Sequence, residues 1–314
     1  MVKQVTSSIM MIRPVAFRFN EQTAVNNYYQ QVLEGLSANQ VQAQACHEFD
    51  VFVEKLRAKG VEVVVVEDTP ENDTPDSIFP NNWISFHQDG RVGWYSMYAE
   101  NRRLERREDI LTFLQEQHNF VISEVVDFSH YENQGRFLEG TGSMLLDRVN
   151  NIAYAALSLR TDAKVLQDFC DKFGYKAVTF TSNQTIADER LPIYHTNVMM
   201  SLGENFAVLC ADTIDDLSER KALVDSLEAT GKDVIYVSEA QKHRFAGNMM
   251  QVQSKTGDNL LVMSTSAHRS LDSGQIKQIE KHCQILSSSL DTIEACGGGS
   301  ARCMMAEIFL PKNA

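Results

Sequence analysis

The sequence predicts an α/β fold of five repeated modules in one closed domain, and three observations carry that reading. Apolar residues at helical spacing, a glycine or asparagine stop and a strand-like apolar run follow one another in the same order along the chain. The stops fall at 60, 119, 174, 231 and about 288, intervals of 59, 55, 57 and 57 residues, and a fixed period of this size marks a repeat architecture. No Pro/Gly/Ser-rich linker divides the 314 residues, which favours one domain over residues 1–314 rather than two. Residue identities are not shared between modules, so the repeat is one of pattern, and an ordinary α/β sheet is the alternative.

In the first module Val41, Ala45, Phe49, Phe52, Val53 and Leu56 give a helix over 40–58, stopped by Lys59-Gly60 before a buried strand at 61–66. The second has a helix over 106–118, a stop at Asn119 and a strand over 120–126. The third runs from a helix over 163–173 through Gly174 to a strand at 175–180. The fourth has a helix over 216–230, Gly231 and a strand at 233–237. In the fifth, a helix over 273–286 ends among serines near Ser288, before a β-type run at 290–295.

Composition narrows the function. A content of 43% hydrophobic and 23% charged residues is that of a soluble globular protein. A net charge of -13 supplies no basic footprint for nucleic acid or an anionic membrane. No apolar run approaches the roughly 20 residues of a membrane span, and the first residues lack a signal-type pattern. Cys46, Cys170, Cys210, Cys283, Cys296 and Cys303 show no paired spacing and read as reduced thiols of a cytoplasmic protein. The histidines show no metal-ligand spacing, so no metal is expected.

Special residues recur about 15 to 22 positions past each stop: Asn81-Asn82, Glu139, His195, Asn248 and Cys303. Modules arranged about an axis would bring them together at its centre. Cys303 follows Gly297-Gly-Gly-Ser-Ala-Arg302, where three glycines allow a sharp turn or close backbone approach. A cysteine beside Arg302 at such a turn reads either as a thiolate nucleophile or as a buried structural thiol after a glycine hairpin.

The segments Phe137-Leu-Glu139-Gly-Thr-Gly142, Tyr194-His195-Thr-Asn197 and Gly297-Gly-Gly-Ser-Ala-Arg-Cys303 resemble the Glu, His and Cys motifs of the pentein superfamily of guanidine-modifying enzymes. The resemblance spans nearly the whole chain. It implies a five-bladed pseudo-symmetric α/β propeller of ββαβ-type modules with its site in the central channel, and a homodimer at the family level. It implies Cys303 as nucleophile, His195 as general acid/base and Glu139 as the acid that orients the imidazole and holds substrate nitrogens, with no cofactor.

Asp76-Ser-Ile-Phe-Pro-Asn81-Asn82-Trp83 resembles the family's substrate loop, in which an early Asp holds the α-ammonium and later acids hold the guanidinium. Asp76 matches; Asn81 and Asn82 stand where acids are usual. Asn197 likewise makes His-x-Asn where His-x-Asp is frequent. A guanidinium offers only donors and suits carboxylates, whereas a neutral ureido group also presents a carbonyl acceptor and suits amides. The departures therefore point from arginine toward free citrulline, cleaved to ornithine, ammonia and carbon dioxide.

Leu157-Ser-Leu-Arg160-Thr161 resembles the segment whose arginine clamps the substrate carboxylate, and a second contact is expected at Arg102 or Arg103. Asn248 would face the substrate from the fourth module. The alternatives are a guanidino-directed deiminase, dimethylarginine hydrolase or amidinotransferase, and a non-catalytic binding module.

Overall fold

The computed structural model describes residues 2–313. Its strands form five three-stranded sheets and one separate hairpin, Asn183–Ile186 with Glu189–Pro192. Each sheet has a central strand with one antiparallel and one parallel neighbour. In chain order the central strands are Ser8–Arg13, Arg91–Trp94, Ile152–Leu157, Phe206–Leu209 and Asn259–Ser264. Their parallel neighbours are Glu62–Glu67, Glu124–Asp127, Lys176–Thr181, Asp233–Tyr236 and Gln284–Ser288. A parallel pair needs a crossover, and a helix supplies it each time: Ala38–Ala58, Glu108–His118, Ala163–Phe173, Leu217–Ala229 and Ser273–Glu280.

The antiparallel neighbours are Ile84–Phe86, Leu145–Asp147, Met200–Leu202, Met250–Gln253 and, for the first sheet, Ala306–Glu307 from the far end of the chain. That last strand pairs Ile9 with Glu307 and Met10 with Ala306, so the two ends of the chain share one sheet.

Local chemistry explains the helix limits. Ser37 and Gln40 close a reciprocal cap on the first crossover helix, and Asp162, Asp216 and Asp272 accept backbone N–H bonds at the starts of three others. Asn119 and Gly174 end their helices in the left-handed region, at φ 58° and 76°. Phe49, Phe52 and Leu56 lie on the buried face of Ala38–Ala58, each burial contributing roughly 1.5–3 kcal/mol.

The fifth module departs from the sequence expectation. Its helix stops at Glu280, and Ile285 and Leu286 belong to a strand that pairs parallel with Leu261 and Val262. The β-type run at 290–295 is a helix, Asp291–Gly297. The side chain of Glu48, from the first crossover helix, accepts from Thr292 N at 2.8 Å and Ile293 N at 3.1 Å, satisfying donors that a helix start leaves open. The second-module strand is also shorter than expected, with Phe120 only bridged to Lys312 before Glu124–Asp127 begins.

Candidate active site

The special residues sit at one structural position repeated five times, the turn just before each sheet's antiparallel strand. Asn81 and Asn82 lie in the turn Pro80–Asn82, and Glu139 opens Gly140–Ser143. His195 opens Thr196–Met199, Asn248 precedes Met250–Gln253, and Cys303 precedes Ala306–Glu307. Three of these turns touch at Gly142. A Cβ there would stand 2.4 Å from Asn82 Nδ2 and 2.9 Å from His195 Nδ1, so only glycine lets the three converge.

Nε2–H of His195 donates to Glu139 Oε2 at 2.7 Å, and both side chains are buried. Burial pushes the Glu139 carboxyl up, but Arg160, His195 and Arg102 outweigh it and hold the group well below the usual carboxylate range. Burial pushes His195 down to about 4; Glu139 opposes that shift, while Arg160 and Arg102 add to it. The resting imidazole is therefore neutral near neutral pH, with Nε2–H committed to Glu139 and the Nδ1 lone pair free to take a proton.

A histidine whose folded pKa lies below its ordinary 6.5 adds stability above that pH, and the contribution is lost as pH falls from about 6.5 to about 4. Chemical denaturation over that window is expected to show His195→Asn losing less stability than wild type, by up to about 3 kcal/mol. Parallel curves for the two proteins would remove the buried neutral imidazole from the picture.

Cys303 is 3% exposed, and two amides point their donors at its sulfur. Asn248 Nδ2 lies at 3.2 Å and Asn197 Nδ2 at 3.4 Å. Asn248 is itself pinned, donating to Asn197 O at 2.9 Å while its Oδ1 accepts from Arg302 N at 3.0 Å. The sequence reading places both asparagines on the substrate; in the structure the amide nitrogen of each faces the sulfur. Arg302, expected to help form the thiolate, turns its guanidinium to Met305 O and the Glu307 carboxylate, 2.8 Å away. The sulfur is thus faced by two amide donors and not by the Arg302 guanidinium.

Asp76, Asn82, Arg102, Arg160, His195 and Cys303 line one cavity of about 10 Å³, walled also by Thr23 and Asn27 of a covering segment, residues 20–31. A larger cavity of about 480 Å³ lies elsewhere, between Lys3, Glu62 and Lys312, with none of this chemistry in its walls. Asn20 Nδ2 and Thr23 Oγ1 donate to Asp76 Oδ2 at 2.8 and 3.0 Å. Arg160 donates to Asn26 Oδ1 and Thr23 O, and Asn27 Nδ2 donates to Gly297 O at 3.3 Å. This covering segment carried no signal in the sequence, because its polar residues look like an ordinary loop until their partners are known.

Arg102 is buried in a two-bond pair with Glu105, at 2.8 and 2.9 Å, and donates to Asn82 Oδ1 at 2.7 Å. Asn82 Nδ2 in turn donates to Asn81 Oδ1 at 3.0 Å. Arg103, the other expected carboxylate contact, points away, donating to Met97 O and Tyr98 O beside Glu132. Asn81 is fully buried and does not line the cavity, lying behind Asn82, which does. Buried polar atoms without a partner in this region include Asn81 Nδ2, Asn197 Oδ1, the second Asp76 oxygen, Oδ1, and, in the covering segment, Asn26 Nδ2. Among the described residues no group of three His, Cys, Asp or Glu side chains is arranged to hold a metal ion.

A sulfur, an imidazole and a carboxylate at repeated turns of small mixed sheets define a pentein-type hydrolase acting on guanidino or amidino C–N bonds. The family model for N,N dimethylarginine dimethylhydrolase, eukaryotic, matches residues 13–310, and the chain belongs to that family. Solved structures share the fold. The substrate-bound N-terminal domain of ArgZ, an arginine dihydrolase from the ornithine-ammonia cycle in cyanobacteria, is 17% identical with a TM-score of 0.71, over 96% of this chain and 97% of that one. Against the longer apo ArgZ the TM-score is 0.72 at 17% identity, over 98% of this chain and 41% of that chain. A dimethylarginine dimethylaminohydrolase in an adduct with S-methyl-L-thiocitrulline is 13% identical, with a TM-score of 0.63 over 97% of this chain and all of that one. Comparison with curated proteins by sequence gives no match. Among the described residues no helix is long and apolar enough to cross a membrane.

Proposed function

We propose that the protein is a single catalytic domain, its five sheets the blades of a closed propeller, that hydrolyses the ureido group of free citrulline to ornithine, ammonia and carbon dioxide. The observation that carries the substrate is the set of unpartnered polar atoms. Directly behind the cavity wall, bonded to Asn82 and Cys303 that line it, Asn81 Nδ2 holds a spare donor and Asn197 Oδ1 a spare acceptor, the pair a ureido group needs for its carbonyl and its N–H groups. A guanidinium has no acceptor for the amide donor. The one carboxylate beside the imidazole, Glu139, is already held by His195 and Arg160. Asp76, with one oxygen free, suits the α-ammonium, and Arg160 suits the carboxylate once it exchanges Asn26 and Thr23 for substrate oxygens.

The chemistry follows from the neutral His195–Glu139 pair. His195 Nδ1 takes the thiol proton, the Asn197 and Asn248 amides meet the charge left on Cys303 Sγ, and the sulfur adds to the ureido carbon as the C=O π pair moves onto the oxygen, to return when the C–N bond breaks. The imidazolium, stabilised by Glu139, returns its proton to the departing nitrogen as the C–N bond breaks, leaving a thiocarbamate on Cys303. A water deprotonated by His195 attacks that carbon and expels the sulfur. The carbamic acid released then decarboxylates, so cleavage of either C–N bond gives the same products.

Purified protein incubated separately with citrulline, arginine and asymmetric dimethylarginine, with amino acids and ammonia quantified, tests the assignment. Ornithine and ammonia in equal amounts from citrulline are expected. Citrulline formed from arginine or dimethylarginine, with no ornithine from citrulline, would overturn the ureido reading and leave the guanidino one.

A further inference from the structure

The turn that presents Cys303 is anchored from behind by a carboxyl group outside the catalytic cavity. Ser300 Oγ–H donates to Glu294 Oε1 at 2.5 Å, and Ser300 O accepts from Cys303 N at 3.0 Å. Glu294 also accepts at its backbone oxygen from Gly298 N at 3.0 Å, so one residue holds both ends of the Gly298–Ser300 stretch. Ser300 is fully buried and Glu294 nearly so. On its other side Glu294 reaches a separate cavity of about 340 Å³, shared with Tyr29, His243, Arg244 and Asp291.

Several charged or polar groups face Glu294. Asp291 lies on its own helix, and Glu48 on Ala38–Ala58 is occupied with Thr292 N and Ile293 N. Ser264, at the start of the helix Thr265–Ser270, bonds to it together with Ser300, while His243 and Arg244 stand across the cavity. Burial pushes the Glu294 carboxyl up to about 7, against the two serine hydrogen bonds, with Asp291 and Glu48 adding to the rise.

We propose that Glu294 is a positioning residue for the nucleophile, setting the Cys303 turn through Ser300 and holding it more tightly as a carboxylate than as a carboxylic acid. A charge-assisted O–H···O⁻ bond is roughly twice as strong as its neutral counterpart. The rear cavity gives Glu294 a face away from the catalytic cavity, although Tyr29 and Gln31 at the end of the covering segment help to wall it. Cys303 presentation therefore improves as pH rises through neutrality. The proposal rests on Cys303 being the nucleophile, but not on which substrate it attacks.

The test compares wild type, Glu294→Gln, Ser300→Ala and the double variant. Two rates are followed: carboxamidomethylation of Cys303 by iodoacetamide, resolved by peptide mass, and substrate turnover. Glutamine mimics the protonated group at every pH. Its alkylation rate is expected to match wild type at about pH 5.5 and to fall about fivefold below it at about pH 8.5. Ser300→Ala should fall similarly at high pH, and the double variant no further than either single one. A Glu294→Gln profile parallel to wild type, or losses that multiply in the double variant, would overturn the proposal. Absence of turnover on every substrate offered would sink the assigned reaction, while the alkylation comparison would still decide the role of Glu294.

Discussion

Glu139→Gln is expected to lower turnover by about 10²- to 10⁴-fold, the range general acid–base catalysis contributes. The substitution changes one buried oxygen to nitrogen and removes one charge. That charge holds Nε2–H of His195 at 2.7 Å and so keeps Nδ1 as the free base. It also stabilises the imidazolium that forms when the sulfur loses its proton. Without it the imidazole is free to choose the other tautomer, and Arg160, 1% exposed and 3.5 Å from the same carboxylate, loses its nearest anion. Uncompensated buried charge costs about 3–5 kcal/mol, so a fall in thermal stability should accompany the loss of activity. Glu139→Asp separates the two effects: it keeps the charge, shortens the reach, and should recover most stability but only part of the rate. Turnover within tenfold of wild type in folded Glu139→Gln would mean that the imidazole needs no orienting carboxylate.

Some of this site was legible because its signals are local. Glu139, His195 and Cys303 stand beside glycines or short polar runs at a repeated distance from helix stops, and the structure shows why: Glu139 and His195 open, and Cys303 lies within, the turn before an antiparallel strand. Gly60, Gly174 and Gly231 all take positive φ after a helix, as the stop-and-strand reading requires. What escaped was tertiary. The run at 290–295, with Thr292 and Ile293, suits a strand by propensity and becomes a helix because Glu48, more than 240 residues away in sequence, meets its first N–H groups. Arg102 and Arg103 are indistinguishable in sequence, yet Glu105 draws one into the interior and Glu132 holds the other outside. The covering segment at 20–31 is defined by partners at Asp76, Arg160 and Gly297, none of them near it in the chain.

Asn248→Asp should be the most informative change at the sulfur, with a loss of about 10²-fold or more at neutral pH. The donor now 3.2 Å from Sγ would become an oxygen carrying negative charge. Two unit charges at about 4 Å repel by roughly 4 kcal/mol at an effective dielectric near 20, enough to suppress the thiolate by more than two orders of magnitude. Asn248→Ala removes the donor without adding charge, and a lost hydrogen bond of about 1 kcal/mol predicts only a five- to tenfold effect. The expected order is therefore wild type, then alanine, then aspartate. Only the aspartate variant should shift Cys303 alkylation markedly toward alkaline pH, recovering as the rising pH forces the thiol to ionise. A purely structural Asn248, needed to pin Arg302 N and Asn197 O, predicts that both variants lose stability, because alanine lacks both bonds and aspartate cannot donate to Asn197 O. It predicts no alkaline shift of Cys303 alkylation in either variant beyond what unfolding explains. The direction of the aspartate pH profile, measured in folded protein, therefore separates the two roles.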